Sequence, residues 1–166
     1  MKIDTHQDDV RVELMGLRFA HNASEHTVRR SVAVALMKYI SNQVEEKKLT
    51  VSEAVKQSIA RYHSLIQRDR SQDAATAQVD FLLEAQKDLL HRNEGEQILL
   101  HLCKELYDQD IFEDEEVFSQ WWHDERAESS EERRRVKKSS MQFLDWLAAE
   151  DDESESEEGE EGEEES

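Results

Sequence analysis

The sequence predicts an all-α fold, arranged as a stack of antiparallel helix pairs. The chain of 166 residues contains no proline and only four glycines. Because proline and glycine interrupt helices and β-hairpins usually need turn glycines, their scarcity favours helices throughout. Apolar residues recur at helical spacing in segments of similar length, which short polar breaks separate. We therefore expect a HEAT-type array with roughly 40 residues per helix pair.

The first predicted helix begins near Asp8 and Asp9 and carries Val10, Leu14 and Leu17 along one stripe. Three further apolar residues of this helix lie off that stripe: Val12, Met15 and Phe19. A helix that is apolar on more than one side normally has neighbours on both, so a further helix is expected before it. Glu13 sits among these positions, where a solvated carboxylate is the simplest interpretation.

Capping signals mark the helices that follow. Ser24 predicts the N-cap of the second helix, and Thr50-x-x-Glu53 predicts a capping box at the start of the third. A fourth helix is expected to end near Gly95, and a fifth carries Cys103 as a buried thiol. A sixth helix is expected to start near Glu113 or Asp114. The last one follows a second capping signal, Ser129-x-x-Glu132, and carries Val136, Ser140, Phe143 and Leu147 on one stripe.

Two segments combine aromatic residues with dense negative charge. The first aromatic–acidic box spans residues 107–124 and contains Trp121 and Trp122, and the second box spans residues 143–153 and contains Trp146. Their carboxylates are Asp108, Asp110, Glu113, Asp114, Glu115 and Glu116 in the first box and Asp145, Asp151, Asp152 and Glu153 in the second. This combination suggests a surface that holds a basic partner. The alternative is that both tryptophans belong to the core. Adjacent helical residues point about 100° apart, so at least one tryptophan should pack inside with Val117 and Phe118.

The net charge of −19 favours a partner rich in lysine and arginine over nucleic acid or an anionic membrane. No apolar run is long enough to span a bilayer, and no signal-peptide pattern opens the chain. With a single cysteine, a reducing compartment is expected, either cytosol or nucleus, and a cytoplasmic location is the one we predict. Residues 150–166 contain nothing apolar, so we expect a disordered acidic tail after a helical domain at residues 1–149.

Motifs for covalent chemistry are missing from the sequence. It has no glycine-rich phosphate loop, no HExxH and no paired-cysteine spacing, so no cofactor or metal is expected. Asp108-x-Asp110 begins like a calcium loop, but Phe112 and Glu113 stand where a ligand and the turn glycine are needed. The basic run at residues 133–138 is expected to pair within the chain. The residues alone thus favour a binding module over an enzyme.

Four stretches carry a resemblance to a known family. They are Val12-Glu13-Leu14-x-x-Leu17-Arg18-Phe19; Asn22-Ala23-Ser24 with Val28-Arg29; Leu106-Tyr107-Asp108-x-Asp110-Ile111 leading to Trp121-Trp122; and Phe143-Leu144-Asp145-Trp146-Leu147 with its acidic tail. From about Asp9 to its end, the chain resembles the C-terminal domain of the epsilon subunit of eukaryotic translation initiation factor 2B. The boxes alone are shared with the C-terminal domains of initiation factor 5 and of the initiation factor 4 gamma scaffold, whereas the first helix points to the epsilon subunit.

The resemblance implies a HEAT-type stack that catalyses GDP release from initiation factor 2. It also implies that the boxes hold lysine blocks of that factor's beta subunit and that the domain touches the GTP-binding gamma subunit. The family's essential glutamate matches Glu13, and the tryptophan of its second box matches Trp146, for which both packing and shaping of the acidic surface are expected. Other subunits of the initiation factor 2B complex would be bound through parts absent here. The alternative is a non-catalytic adaptor of the initiation factor 5 type that captures lysine-rich segments.

Overall fold

The computed structural model describes residues 5–21, 24–67, 74–112 and 114–158, with side chains except at 5–8, 18, 20, 21, 25 and 152–158. Over these ranges the chain forms eight α-helices, one short 3₁₀ helix and no strand, which confirms the predicted all-α class. The helices are α1 Thr5–His21, α2 Glu25–Lys47, α3 Val51–Ile66, α4 Ala74–Leu89, α5 Gly95–Asp108, α6 Glu116–Trp122, α7 Glu131–Lys138 and α8 Met141–Glu158, with the 3₁₀ helix Glu125–Glu128 between α6 and α7.

The helices stack in two layers, as expected for a HEAT-type array. In one layer α4 packs between α2 and α6, and in the other α3 packs between α1 and α5. Contacts of α2 with α3 and of α4 with α5 join the layers into successive pairs. Helices α7 and α8 pack against α5 and close the stack at the end opposite α1. This order places the two aromatic–acidic boxes at one end of the array and α1 at the other.

Two predicted capping sites are confirmed. The backbone N–H of Thr27 donates to the Ser24 hydroxyl at 3.2 Å, which starts α2. At the start of α3, the Glu53 N–H donates to the Thr50 hydroxyl and the Thr50 N–H donates to the Glu53 carboxylate, both at 3.2 Å. These bonds satisfy backbone donors that have no partner inside the helix. The predicted turn at Asn22 and Ala23 lies outside the described residues.

The predicted last helix is two helices, which corrects the sequence prediction. Ser130, one residue after the expected Ser129, caps α7 by accepting from the backbone N–H of Arg133 at 3.2 Å. α7 ends at Lys138, and the Ser139 hydroxyl donates to the carbonyls of Val136 and Glu96. Serine side chains that bond to carbonyls compete with the helical pattern, so the bonds of Ser139 to Val136 and to the distant Glu96 both favour a break at this position.

Gly95 joins α4 to α5 by close approach. A Cβ atom built on Gly95 would lie 2.1 Å from the carbonyl oxygen of Leu89, the last residue of α4. No side chain fits at that distance, because the obstructing atom belongs to the backbone. Glycine therefore stands where the start of one helix meets the end of the preceding one, rather than as a C-terminal cap.

One apolar core runs through the stack. Its residues come from α2 to α8 and include the fully buried Ile40, Leu82, Leu102 and Phe118. Cys103 is buried, as predicted, and this burial raises the pKa of its thiol to about 12. A thiol in that state is a packing group rather than a nucleophile. Across the described ranges, the helices are too short or too polar to cross a bilayer.

Helix α8 continues to Glu158, past the boundary at residue 150 where a disordered tail was expected. The backbone of residues 150–158 is therefore helical in this structure, and the disorder of the acidic tail stays a prediction. Once a helix has been nucleated, each added residue gains one backbone hydrogen bond, and glutamate is a good helix former. The absence of apolar residues after residue 149 predicts that this segment does not pack on the core. It does not predict that a helix which has already begun must end there. Residues 159–166 lie outside the described ranges.

Candidate functional site

The two tryptophans of the first box have different environments. Trp121 is fully buried beside Val117 and Phe118, and its indole N–H donates to the Oε1 atom of Gln86 at 3.1 Å. A partner cannot touch a side chain in this position, so the assignment of Trp121 to a contact surface is wrong. The expectation that one of the two tryptophans packs in the core is confirmed, because adjacent helical residues face different directions.

Trp122 is half-buried, and its ring lies against the side chain of Lys137. The Lys137 ammonium sits 4.3 Å from the centre of the indole ring and donates to the Trp122 carbonyl at 2.6 Å and to the Glu128 carboxylate at 2.7 Å. A cation over an aromatic face is attracted by the ring quadrupole. These contacts fix the indole in place, and they mean that an internal cation already engages one of its faces.

Gln86 and Lys137 are structural residues of the site that sequence reasoning did not identify. The buried Gln86 amide donates to the carbonyls of Ala127 and Arg133, both at 2.9 Å, while its oxygen accepts from Trp121. One side chain of α4 thus ties together α6, the 3₁₀ helix and α7. Its polar position within the apolar stripe of α4 was the available signal, because a polar residue among core positions needs a partner.

The second box packs on the first through aromatic rings. Tyr107 meets Trp146 edge to face at 5.7 Å between ring centres, and it meets Phe143 at 6.1 Å. Phe143 is buried, whereas 42% of the Trp146 surface remains exposed. Edge-to-face pairs of this kind contribute about 0.5–1.5 kcal/mol beyond burial. Trp146 therefore packs α8 onto the end of α5 and also forms part of the surface.

Carboxylates of both boxes converge on the Tyr107 hydroxyl. This hydroxyl donates to Glu115 at 3.1 Å and lies within 3.4 Å of Glu150. Burial, together with the bond to Glu115, raises the pKa of Tyr107 to about 12. Burial and a hydrogen bond with Asp151 raise the pKa of Glu115 above its ordinary value. Such a crowded set of negative groups favours a nearby cation, because a cation would stabilise the ionised forms.

The boxes meet at a groove of about 490 Å³ between α6 and α8, which we call the box groove. Its lining includes Glu115, Glu116 and Trp122 from the first box and Asp145 and Asp151 from the second, all of them predicted site residues. The fold therefore brings these five together. Ser119, His123 and apolar side chains of α8 complete the lining.

The remaining predicted carboxylates of the first box lie elsewhere. Asp108 and Asp110 are exposed near the end of α5 and, among the described residues, do not belong to the lining of the box groove. Asp110 has a positive φ of 55°, a conformation that aspartate tolerates better than most residues. Asp114 accepts from the backbone N–H of Glu116 at 2.9 Å, so it stabilises the start of α6. Glu113 lies outside the described residues.

Two carboxylates of the second box are described only by their backbone. Asp152 and Glu153 continue α8 beyond Asp151, and their side chains lie outside the described set. Their helical positions extend the line of negative charge along α8. Their contacts with a partner stay a prediction.

The basic run of α7 pairs within the chain, as predicted. Arg135 forms an ion pair with Glu96 at 3.1 Å, and Lys137 pairs with Glu128. Arg133 and Arg134 donate to backbone carbonyls of the 3₁₀ helix. The partner of Arg135 thus lies on α5 rather than on α7 itself. These contacts hold α7 against its neighbours. Because the basic side chains are paired within the chain, the basic run is not interpreted as an anion-binding site.

Glu13 lies on α1, at the far end of the stack from the box groove. Its side chain is exposed, and α1 packs against α3 at the end of the stack that lies opposite α8. Helices α3 and α5 separate α1 from α8. The axes of packed helices lie about 8–10 Å apart, so the three steps from α1 to α3, from α3 to α5 and from α5 to α8 add up to roughly 25 Å. Glu13 and the box groove are therefore two separate regions of the molecule.

The described residues offer no obvious place for a metal ion. Within the described ranges, no group of three or more His, Cys, Asp or Glu side chains has a suitable arrangement. The chemistry of the box groove is that of a surface for binding positive charge.

The fold and the box groove together define an acidic helical-repeat domain of the kind that binds other proteins. Residues 77–157, which contain both boxes, match the W2 family, described as eIF4-gamma/eIF5/eIF2-epsilon. This part of the chain is therefore similar to W2 domains.

The chain is also similar to a longer protein. It is 32% identical over 157 residues to translation initiation factor eIF2B subunit epsilon of Schizosaccharomyces pombe. This similarity covers 93% of the chain and 22% of the relative, so the chain spans about a fifth of the relative's length. The longer similarity extends to α1, which the W2 match does not reach.

Proposed function

We propose that this chain is a guanine-nucleotide exchange domain that promotes GDP release from translation initiation factor 2. In this proposal the box groove binds a lysine-rich segment of the beta subunit, and α1 acts on the GTP-binding gamma subunit. The observation that carries the proposal is the convergence of carboxylates from both boxes on one groove. The similarity to an eIF2B epsilon subunit, which includes α1, supports the exchange step.

Capture by the box groove would depend on many weak pairs acting together. An exposed ion pair contributes at most about 1 kcal/mol and is screened by salt. Glu115, Glu116, Asp145 and Asp151 line one groove, so a segment with several lysines can pair with more than one carboxylate at once. The net charge of −19 adds long-range attraction, which speeds encounter with a basic segment.

Exchange requires no covalent chemistry from the domain. A protein accelerates nucleotide release when it binds the nucleotide-free or distorted GTPase more tightly than the GDP-bound form. A carboxylate on a protruding helix can do this by competing with phosphate for a lysine or by disturbing the Mg²⁺ shell. Glu13 is exposed on α1 and is the residue we propose for this role.

A non-catalytic adaptor is the second candidate function. The W2 match covers only residues 77–157, and its description also names eIF4-gamma and eIF5. Both boxes lie in this shared part, so capture of lysine-rich segments alone would use the same groove. A cytoplasmic location follows from either function. Neither function calls for nucleic acid or a membrane, and contacts with other initiation factor 2B subunits would be made outside the box groove and α1.

One measurement separates the two functions. Purified initiation factor 2 is loaded with fluorescent GDP, and release is followed with and without the 166-residue chain. An exchange domain increases the release rate in a saturable way. An adaptor binds the factor, as a pull-down shows, and leaves the release rate unchanged. Failure of both binding and release would contradict the proposed function.

A further inference from the structure

The box groove is lined by apolar as well as acidic side chains; we call the apolar ones its floor and the carboxylates its rim. Met141, Leu144 and Ala148 of α8 line it together with the Trp122 ring. Met141 and Ala148 are exposed, and Leu144 is partly buried against the core. Ammonium groups gain little from apolar contact, so such a floor suits either the methylene stems of lysine or a larger apolar side chain, which would cover more of it.

The floor is held in one arrangement. Lys137 is buried beneath the Trp122 ring and bonds to the Trp122 carbonyl and to Glu128, which fixes the indole from below. Because Lys137 already engages the ring, Trp122 offers an incoming group chiefly apolar contact. A floor fixed before binding lowers the entropy lost when a side chain settles on it.

The rim supplies charge on both sides of this floor. Glu115 and Glu116 lie at the start of α6, whereas Asp145 and Asp151 lie six residues apart on α8. Burial and the neighbouring Asp151 raise the pKa of Glu115, as expected where carboxylates of the two boxes are crowded together. Charge complementarity therefore requires an occupant that is cationic at its edges and apolar at its centre.

We propose that the box groove binds a lysine-rich protein segment by seating one large apolar or aromatic side chain on the Met141–Leu144–Ala148 floor, with lysines on either side paired to the rim. This inference rests on the proposed function, because it specifies which feature of a lysine-rich partner the groove selects. The apolar side chain sets the register, since lysines alone could slide along a row of carboxylates.

The test compares two synthetic lysine-rich peptides of equal length and charge that differ at one central residue, phenylalanine or serine. Binding to the full chain is measured by fluorescence anisotropy. The phenylalanine peptide should bind about tenfold more tightly, as expected when roughly half of such a side chain is buried. This preference should persist at high salt, because burial is not screened.

Two variants of α8 show whether the preference arises in the groove. Ala148→Gln fills the floor with a polar side chain, and Ala149→Gln makes the same change at a neighbouring exposed position outside the lining. Ala148→Gln should abolish the preference for phenylalanine, and Ala149→Gln should retain it. Helicity measured by circular dichroism confirms that both variants fold.

The possible results distinguish the inference from the proposed function. If both peptides bind equally well to the unsubstituted chain, the apolar seat is refuted and electrostatic capture survives. A preference that is unchanged in Ala148→Gln would also refute the seat, because the phenylalanine would then bind elsewhere. If neither peptide binds at low salt, capture of lysine-rich segments itself fails.

Discussion

Replacing Gln86 with leucine should destabilise the domain strongly and selectively at the end that carries the box groove. Gln86 is fully buried, and its amide satisfies the indole N–H of Trp121 and the carbonyls of Ala127 and Arg133. Leucine has a similar volume but can neither donate nor accept a hydrogen bond. The substitution thus leaves polar groups of three elements without this partner, while the apolar packing is nearly conserved.

The magnitude follows from the groups that lose a partner. A buried donor or acceptor left unsatisfied costs about 1–3 kcal/mol. We count about 2 kcal/mol each for the Trp121 N–H and the Ala127 carbonyl. The Arg133 carbonyl lies inside α7 and is counted at about 1 kcal/mol, because a helical hydrogen bond can occupy it. The added apolar surface of leucine offsets about 1–2 kcal/mol, so the net loss is roughly 3–4 kcal/mol.

Urea unfolding followed by circular dichroism measures this loss. With a denaturant dependence of about 2 kcal/mol per molar urea, the midpoint should fall by roughly 1.5–2 M. Gln97→Leu is the matched control, because Gln97 is exposed on α5, and its midpoint should move by less than about 0.3 M. If Gln86→Leu unfolds at the same urea concentration as the control, the three-way bridge does not stabilise the fold.

Three further predictions concern the charged residues. Glu13→Ala should bind initiation factor 2 with unchanged affinity but lower the saturating rate of GDP release, and a melting temperature lowered together with the affinity would instead make Glu13 structural. Replacing Asp114, Glu115 and Glu116 together with lysine should weaken binding of a lysine-rich peptide by about 100-fold at low salt and should reduce the salt dependence of that binding. An affinity that changes neither with the substitutions nor with salt would exclude an electrostatic interface. Glu115→Gln should stabilise the domain at neutral pH, because burial and Asp151 raise the folded-state pKa of Glu115, so the ionised glutamate opposes folding as pH rises. This gain should vanish below about pH 4, where the carboxyl is protonated in both states, and equal melting temperatures at neutral pH would contradict it.

Local signals in the sequence predicted the helices well. Ser24 and the Thr50–Glu53 pair cap helices because their side chains bond to the first turn of their own helix, so the pattern is complete within a few residues. The break between α7 and α8 was missed for the opposite reason. The Ser139 hydroxyl bonds partly to Glu96, a residue of α5 that lies far away in the sequence. Such a contact exists only after the helices have packed.

The candidate site was predicted in part, and the errors have a physical pattern. Charge is a property of composition, so the acidic character of the boxes could be read directly. Burial depends on which face of a short helix meets the core. Because the two tryptophans are adjacent in the sequence, the pattern did not show which of them would be buried. Trp121 lies on the face of α6 that packs on α4, where Gln86 accepts from its indole N–H, and periodicity does not encode a pairing between residues so far apart in the sequence. The apolar floor of the box groove was missed because its residues also look like ordinary core positions of an amphipathic helix.

The distance between the box groove and Glu13 determines how capture and exchange should depend on each other. The two regions lie roughly 25 Å apart at opposite ends of the stack, so one folded surface of the partner would have to span the array to touch both. A flexible lysine-rich segment avoids this constraint, because it binds the groove and leaves the GTPase domain tethered near α1. Tethering raises the effective concentration of that GTPase domain to the millimolar range when the linker matches the span. Groove variants should then lose exchange at low partner concentration and recover it near saturation, since only the tether is lost. Glu13 variants should show no such recovery, because concentration cannot replace a group that acts on the nucleotide site. Parallel titrations of GDP release for the two kinds of variant would refute this division if their deficits followed the same concentration dependence.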